Sequence, residues 1–63
     1  MKKYDVVIGI DPDVDKSGVA YLETESRMLE ATCLTFAELL DYLREAGEVL
    51  TERGKSFVVV VEA

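Results

Sequence analysis

The 63-residue chain contains no histidine and no tryptophan, and it has one cysteine, Cys33, and one proline, Pro12. Without histidine, the chain cannot provide Ser–His or Cys–His catalytic pairs or histidine ligands for a metal. A single cysteine excludes an internal disulfide and a zinc site built on cysteines. Any metal bound by this chain must therefore have oxygen ligands. An unpaired cysteine in an apolar stretch is typically packed in the core, and we predict that role for Cys33.

The chain is also poor in positive charge and in long hydrophobic runs. Thirteen acidic residues against seven basic ones give a net charge of −6, which is unfavourable for binding nucleic acid phosphates. Solubility is the alternative explanation of this acidity. The apolar run that follows Asp5 is interrupted by Asp11 and Pro12, so neither a signal peptide nor a membrane span is predicted. These features predict a soluble, cytoplasmic protein with no membrane partner.

The remaining composition is that of a folded domain. The chain is 49% hydrophobic and 32% charged, and these values exclude a disordered or low-complexity sequence. Its length allows one small domain with a thin margin of stability. We therefore expect residues 1–63 to belong to a single domain.

Four apolar stretches have the composition of strands. Two of them, YDVVIGI and SFVVVV, are apolar without alternation, which is typical of strands buried on both faces. An acidic segment, residues 11–18, and the pair Glu25-Ser26 have the composition of turns. The predicted strands are Tyr4–Ile10 with Asp11 at its tip, Gly18–Thr24, Arg27–Leu34 and Ser56–Val61.

One amphipathic helix is predicted between the third and fourth strands. Thr35 and Glu38 have the spacing of a capping box, and Gly54 is a natural residue to end the helix. One face carries an apolar stripe, and the opposite face is acidic and predicted to be solvated. The stripe contains Phe36, Leu39, Leu40, Leu43, Ala46 and Leu50, and the acidic face contains Glu38, Asp41, Glu45, Glu48 and Glu52.

This order of elements predicts an α/β fold, β-β-β-α-β, with a mixed four-stranded sheet. The first three strands form antiparallel hairpins, and the helix is the crossover that lets the fourth strand run parallel to the first. The predicted order in the sheet is 3-2-1-4. Adjacent strands lie about 4.8 Å apart, so Asp11, after the first strand, and Glu62, after the fourth, should emerge from the same edge.

Two carboxylates at this edge form a candidate metal site. Ligands of open α/β sheets bind at the carboxyl ends of strands, and neighbouring carboxylates repel each other unless a cation joins them. Oxygen ligands suit Mg²⁺ or Mn²⁺. With further carboxylates, such a pair can hold two ions that activate water for phosphodiester hydrolysis. The simpler alternative, that Asp11 and Glu62 only terminate strands, does not explain why each directly follows an apolar strand, where a charge is costly.

The residues around Asp11 resemble the start of a known nuclease family. Residues 7–12, VIGIDP, followed by residues 17–20, SGVA, are similar to the opening of RuvC-type Holliday-junction resolvases and related phage proteins. The resemblance implies a ribonuclease H-like fold, of which this chain is the amino-terminal part, in a bacterial or phage-encoded protein of DNA recombination and repair. It also implies that Asp11 and Glu62 are two of four catalytic carboxylates that bind two Mg²⁺ ions.

The chain differs from the family's pattern in two respects. Asp13 stands where the family usually has glycine, which changes the loop and adds a carboxylate near the site. We interpret Asp13 and Asp15 as solvated loop residues, and outer-sphere contact of Asp13 with the metal is the alternative. The second difference is length, because the family's last helices, fifth strand and other two carboxylates would lie beyond Ala63.

Three functions remain open. The resemblance implies part of a metal-dependent endonuclease that hydrolyses branched DNA, such as Holliday junctions, and that is inactive as this fragment alone because it carries half a site. The second is a nucleotide-binding fragment of the actin and sugar-kinase type, although Pro12, Asp13 and Asp15 disfavour phosphate binding in the first hairpin. The third is a non-catalytic interaction module in which the acids are incidental.

The fourth strand also has a predicted role in self-association. It is rich in valine, and no further strand is predicted beside it. Such a strand leaves an exposed apolar edge that can pair with another chain. We therefore expect a homodimer formed through residues 56–61.

Overall fold

The protein folds into four strands and one helix. A computed structural model describes residues 4–13 and 15–62, so Val14 of the predicted acidic turn lies outside the described residues. Every predicted element is present, and its ends differ from the predicted ones by no more than two residues. The elements are β1 (Val6–Asp11), β2 (Ser17–Glu23), β3 (Met28–Leu34), α1 (Phe36–Glu52) and β4 (Phe57–Val61).

The strands form one mixed sheet in the predicted order, β3-β2-β1-β4. β1 pairs antiparallel with β2, with Ile8 opposite Tyr21, and parallel with β4, with Ile8 opposite Val59. β2 in turn pairs antiparallel with β3. α1 connects β3 to β4 and provides the crossover that the parallel pair needs. The predicted α/β class, strand order and single crossover helix are confirmed.

The core lies between α1 and one face of the sheet, which we call the helix face. Every second residue of a strand points to the same face, and β1 therefore presents Val6, Ile8 and Ile10 to the helix. Full burial of an aliphatic side chain contributes about 1.5–3 kcal/mol, so this small set is a principal source of stability. The buried core consists of Val6, Ile8, Ile10, Val19, Leu39 and Leu50.

The opposite face of the sheet, which we call the open face, has no helix packed on it in the described part of the chain. The residues of β1 alternate between buried and half-buried, so the prediction that this strand is buried on both faces is wrong. The same is true of β4, an edge strand whose last three residues are exposed. Cys33 lies on β3, the other edge strand, and is exposed rather than packed in the core.

The helix begins and ends as predicted. Thr35 Oγ1 accepts a hydrogen bond from Glu38 N–H at 3.3 Å, and Glu38 Oε1 accepts one from Thr35 N–H at 2.9 Å. These reciprocal bonds are the capping box. Beyond the last turn, Gly54 has a φ of +69°, a conformation in which glycine avoids the steric cost of a side chain.

The two faces of α1 agree only in part with their predictions. The five acids of the polar face are exposed, as expected. Of the apolar stripe, Leu39 and Leu50 are buried, whereas Phe36 is 72% exposed and Leu40 is 52% exposed. Leu40 lies about 100° around the helix from Leu39, and Phe36 is one turn earlier on the side of Leu40, so both lie beside the contact with the sheet. No helix within residues 4–13 and 15–62 is both long and apolar enough to span a membrane.

Hydrogen bonds at the amino ends of β1 and β4 join distant parts of the chain. Asp5 Oδ2 accepts hydrogen bonds from Ser56 N–H at 2.9 Å and from the Ser56 hydroxyl at 3.3 Å. Asp5 N–H donates to Ser56 O at 3.1 Å. On the other side of β1, the Thr24 hydroxyl donates to Tyr4 O at 2.8 Å. These bonds hold the starts of β1 and β4 and the end of β2 together.

Replacing the capping threonine should weaken the fold. Thr35→Ala removes the side-chain acceptor of Glu38 N–H, and loss of such a cap typically costs about 1 kcal/mol. We expect urea denaturation followed by circular dichroism to show a decrease of that size in the free energy of unfolding. Thr51→Ala, at an exposed position in the last turn of the helix, is the control and should have a much smaller effect. Equal losses for both variants would contradict the role of the cap.

The capping box also predicts a dependence of stability on pH. The hydrogen bond from Thr35 N–H, and then that of the Thr35 hydroxyl, lower the pKa of Glu38 from its ordinary value of 4.5. A carboxyl with a lower pKa in the folded state stabilises the fold above its unfolded pKa, and this contribution is lost as pH falls through the folded pKa. Glu38→Gln should therefore flatten the acid limb of a plot of melting temperature against pH. Glu45→Gln, which removes an exposed helix carboxylate away from the cap, should flatten it less.

Candidate functional site

Asp11 is the last residue of β1, one of the two described strands that have a neighbour on each side. It pairs with Gly18 of β2. A side chain at Gly18 would bring its Cβ to 3.8 Å from Asp11 Cβ, so glycine there leaves open space beside the carboxylate. Pro12 follows and has no N–H with which to continue the strand. Asp11 is therefore exposed at the carboxyl end of the central part of the sheet.

Glu62 directly follows β4 and lies beside Asp11. Its N–H donates to Ile10 O at 2.9 Å, which continues the parallel hydrogen bonding beyond Val61. The pairing of Ile10 with Val61, extended by one residue, places Glu62 opposite Asp11. The backbones of such neighbours are about 4.8 Å apart. By alternation from Gly9 and Val60, both carboxylates lie on the open face.

The two carboxylates line one end of a depression of about 490 Å³ in the open face. The depression exists because a row of small residues crosses the sheet, with Gly9 opposite Ala20 and Ala20 opposite Ala31. The next row contains Asp11, Gly18 and Cys33. The hydrogen atoms of Gly9 and Gly18 and the methyl groups of Ala20 and Ala31 leave a concave surface where larger side chains would fill the face. The result is an apolar depression with an acidic end.

The other acids of the first hairpin do not join this pair. Asp13 and Asp15 are exposed. Within residues 4–13 and 15–62, no three side chains of the histidine, cysteine, aspartate or glutamate type come close enough to hold a metal ion together. The structure therefore brings together Asp11 and Glu62, and it does not add Asp13 to them as a third ligand.

The chemistry of the pair suits a hard divalent cation. The residues that line the depression include no basic side chain, so the two neighbouring carboxylates have no cationic partner there. Mg²⁺ is commonly bound through one or two carboxylates while it keeps several of its waters. Cys33 is two strands away from Asp11, which leaves carboxylate oxygens as the donors at this end. Asp11 and Glu62 thus fit Mg²⁺ or Mn²⁺ as part of a ligand set.

Spacing along the chain did not reveal the row of small residues. Gly9, Ala20 and Ala31 belong to three different strands and become neighbours only through the register of the sheet. A usable signal exists in the alternation within each strand, because a small residue occurs on the same face in all three. That signal can be interpreted once the hairpin register is known, and turn composition alone does not determine the register.

Removing one carboxylate should stabilise the protein when no metal is present. Like charges opposite each other on adjacent strands are unfavourable, and relief of that repulsion contributes about 0.5 kcal/mol at low salt. We expect Asp11→Asn to raise the free energy of unfolding in the presence of a chelator, by an amount that falls as salt is added. Asp15→Asn, which removes an exposed loop carboxylate, should change stability less. A salt-independent loss of stability in Asp11→Asn would contradict the predicted repulsion.

The arrangement presents two neighbouring carboxylates at one end of the depression and an apolar surface along its floor. Both properties follow from the parallel pairing of β1 with β4 and from the small residues of the open face. Neither property identifies a reaction by itself. No protein-family model, curated protein or solved structure matches the chain.

Proposed function

We propose that this chain is the amino-terminal part of a metal-dependent DNA endonuclease of the kind it resembles, the RuvC-type Holliday-junction resolvases. The observation that supports the proposal is the position of Asp11 and Glu62, side by side at the carboxyl ends of parallel strands β1 and β4. These are the two positions to which the resemblance assigns catalytic carboxylates. Asp11, in the motif at the end of β1, and Glu62, far along the chain after β4, thus lie side by side at one edge of the sheet.

In this proposal Asp11 and Glu62 hold Mg²⁺ or Mn²⁺. Such ions, when bound, activate water and stabilise the leaving oxygen of a phosphodiester. The chain contributes by holding the two carboxylates in position. β1 is hydrogen-bonded on both sides, so Asp11 is on a rigid support, and the bond from Glu62 N–H to Ile10 O fixes the backbone of the second acid.

The acidity of the chain limits what these residues do alone. A net charge of −6 repels DNA, and the two carboxylates add to that repulsion wherever no cation is bound. The family uses four carboxylates, and the pair supplies two of them. We therefore expect the isolated chain to bind metal weakly and to be inactive on branched DNA, with the remaining acids and the DNA-binding surface supplied by other residues of the whole enzyme.

Nucleotide binding by the first hairpin is the weaker proposal. A phosphate-binding loop needs several free backbone N–H groups and little negative charge. The segment between β1 and β2 contains Pro12, which has no N–H, and two exposed acids, Asp13 and Asp15. These features oppose a triphosphate, whereas they are compatible with a hydrated divalent cation near Asp11.

A titration with paramagnetic metal tests the proposed site. Mn²⁺ added at increasing concentrations up to the millimolar range should broaden the amide signals of residues next to Asp11 and Glu62 before others in the spectrum. Mg²⁺ should compete and restore those signals, because both ions prefer the same oxygen ligands. The same concentration of Mg²⁺ should raise the melting temperature of the native chain.

The variants Asp11→Asn and Glu62→Gln should each lose the selective broadening and the thermal response. Asp41→Asn is the matched control, because Asp41 is an exposed acid on α1 that pairs with Arg44 at 3.5 Å. It should leave the metal response unchanged. Broadening that follows the acids of α1 instead, or an equal response in all three variants, would show that the metal binds the acidic surface nonspecifically and that the proposed site is wrong.

A further inference from the structure

A groove of about 330 Å³ lies on the helix face, between α1 and the strands β2 and β3. Its position follows from the sheet register, because Tyr21 is opposite both Ile8 of β1 and Glu30 of β3. Ile8 is in the core, so Tyr21 and Glu30 lie on the helix face with it. Clefts that bind small molecules have volumes from about 300 Å³ upward, and this groove can therefore hold a small ligand. Its lining residues are Val19, Tyr21, Glu30, Ala31, Thr32 and Tyr42.

Two aromatic rings and a carboxylate meet in this groove. Tyr21 and Tyr42 are half-buried, and Glu30 is exposed on β3. Burial, followed by electrostatic interaction with Tyr21 and then with Glu30, raises the pKa of the Tyr42 phenol. The three groups are therefore close enough to affect one another. Within residues 4–13 and 15–62, the Glu30 carboxylate and the two tyrosine hydroxyls have no ion-pair or hydrogen-bond partner.

The surroundings of the groove are negatively charged. No basic residue lines it, and the chain has a net charge of −6. Glu45 follows Tyr42 by three residues on α1, and residues at this spacing are neighbours on a helix surface. Glu38, one turn before Tyr42, is already bonded to Thr35 N–H in the capping box. Glu30 and Glu45 therefore place two carboxylates at the groove, and a cation complements them.

We propose that this groove binds the ammonium group of an aliphatic amine, beside Glu30 and against the rings of Tyr21 and Tyr42. The face of a tyrosine ring attracts a cation, and the Glu30 carboxylate supplies the opposite charge. The apolar parts of the two rings give the carbon chain of the amine a surface to pack on. A hydrated divalent ion is a poorer fit, because such ions prefer several oxygen ligands and only one carboxylate lines the groove.

A linear diamine matches the charges better than a monoamine does. With one ammonium beside Glu30, the second can approach Glu45 on the neighbouring turn of α1. Exposed ion pairs are weak, so we expect the diamine putrescine to bind in the millimolar range and butylamine about fivefold more weakly. The groove is on the β3 side of the sheet, away from β4, so a further strand beside β4 would not fill it.

NMR titration with putrescine, at fixed ionic strength and with a chelator present, tests the groove. The signals of Tyr21, Glu30 and Tyr42 should shift together and reach saturation. Sodium chloride at the same ionic strength should not reproduce these shifts. Shifts that spread over the acidic face of α1 without saturating, or that sodium chloride reproduces, would overturn the proposal.

Variants of the lining residues test the roles of charge and ring separately. Glu30→Gln and Tyr42→Leu should each raise the dissociation constant about fivefold, whereas Tyr42→Phe keeps the ring and should bind almost as the native chain does. Glu48→Gln is the matched control, because it removes the same charge from an exposed position of α1 outside the groove. Equal weakening by Glu30→Gln and Glu48→Gln would overturn the proposal, and so would a loss in Tyr42→Phe as large as in Tyr42→Leu. Glu30 is exposed, so its variant remains informative if Tyr42→Leu fails to fold.

A free amine and the lysine side chain of another protein offer the same ammonium chemistry, and a further titration distinguishes these two sources. Lysine with an acetylated amino group and a methylamide at its carboxyl group carries one ammonium on an aliphatic chain. Tighter binding of putrescine would assign a free diamine to the groove, and tighter binding of the lysine derivative would assign a lysine side chain. Binding of neither would overturn the proposal. The inference does not rest on the proposed nuclease function, because the groove contains neither Asp11 nor Glu62 and requires no metal.

Discussion

β1 is the element on which the rest of the structure depends. It supplies half of the buried core through Val6, Ile8 and Ile10, and it is the only described strand that pairs with both an antiparallel and a parallel neighbour. The hydrogen bonds on one side of β1 position β2, which pairs in turn with β3. Those on the other side position β4, which follows the crossover helix α1. The location of Asp11 at the end of β1 is therefore a consequence of the same pairing that forms the core.

Local signals in the sequence predicted the elements and their order in space. Thr35, Glu38 and Gly54 have physical roles that depend on residues one turn away, so the ends of α1 could be predicted from spacing. With one crossover helix and two hairpins, β1–β2 and β2–β3, few topologies remain for the chain. The adjacency of Asp11 and Glu62 followed from the predicted topology. The function assigned to that adjacency rests on a resemblance and stays a proposal.

Burial could not be predicted in the same way, because it depends on what covers each face. The runs VVIGI and FVVVV have the composition of strands between two layers, yet the described residues place a layer on the helix face alone. The exposure of Cys33 has the same cause. The depression beside Asp11 was also missed, because Gly9, Ala20 and Ala31 become a row only when three strands are in register. Composition shows how apolar a segment is, and the tertiary arrangement decides which half of it is buried.

The bonds between Asp5 and Ser56 join residues 51 positions apart, and this separation has a consequence for folding order. The hairpins of β1, β2 and β3 close over short loops, whereas the pairing of β4 with β1 closes a long one, and the entropic cost of closure grows with loop length. We expect β4 to join the sheet in the last step. The two carboxylates are then kept apart throughout the early stages of folding, and the electrostatic repulsion between them arises only when the native contacts that offset it are complete.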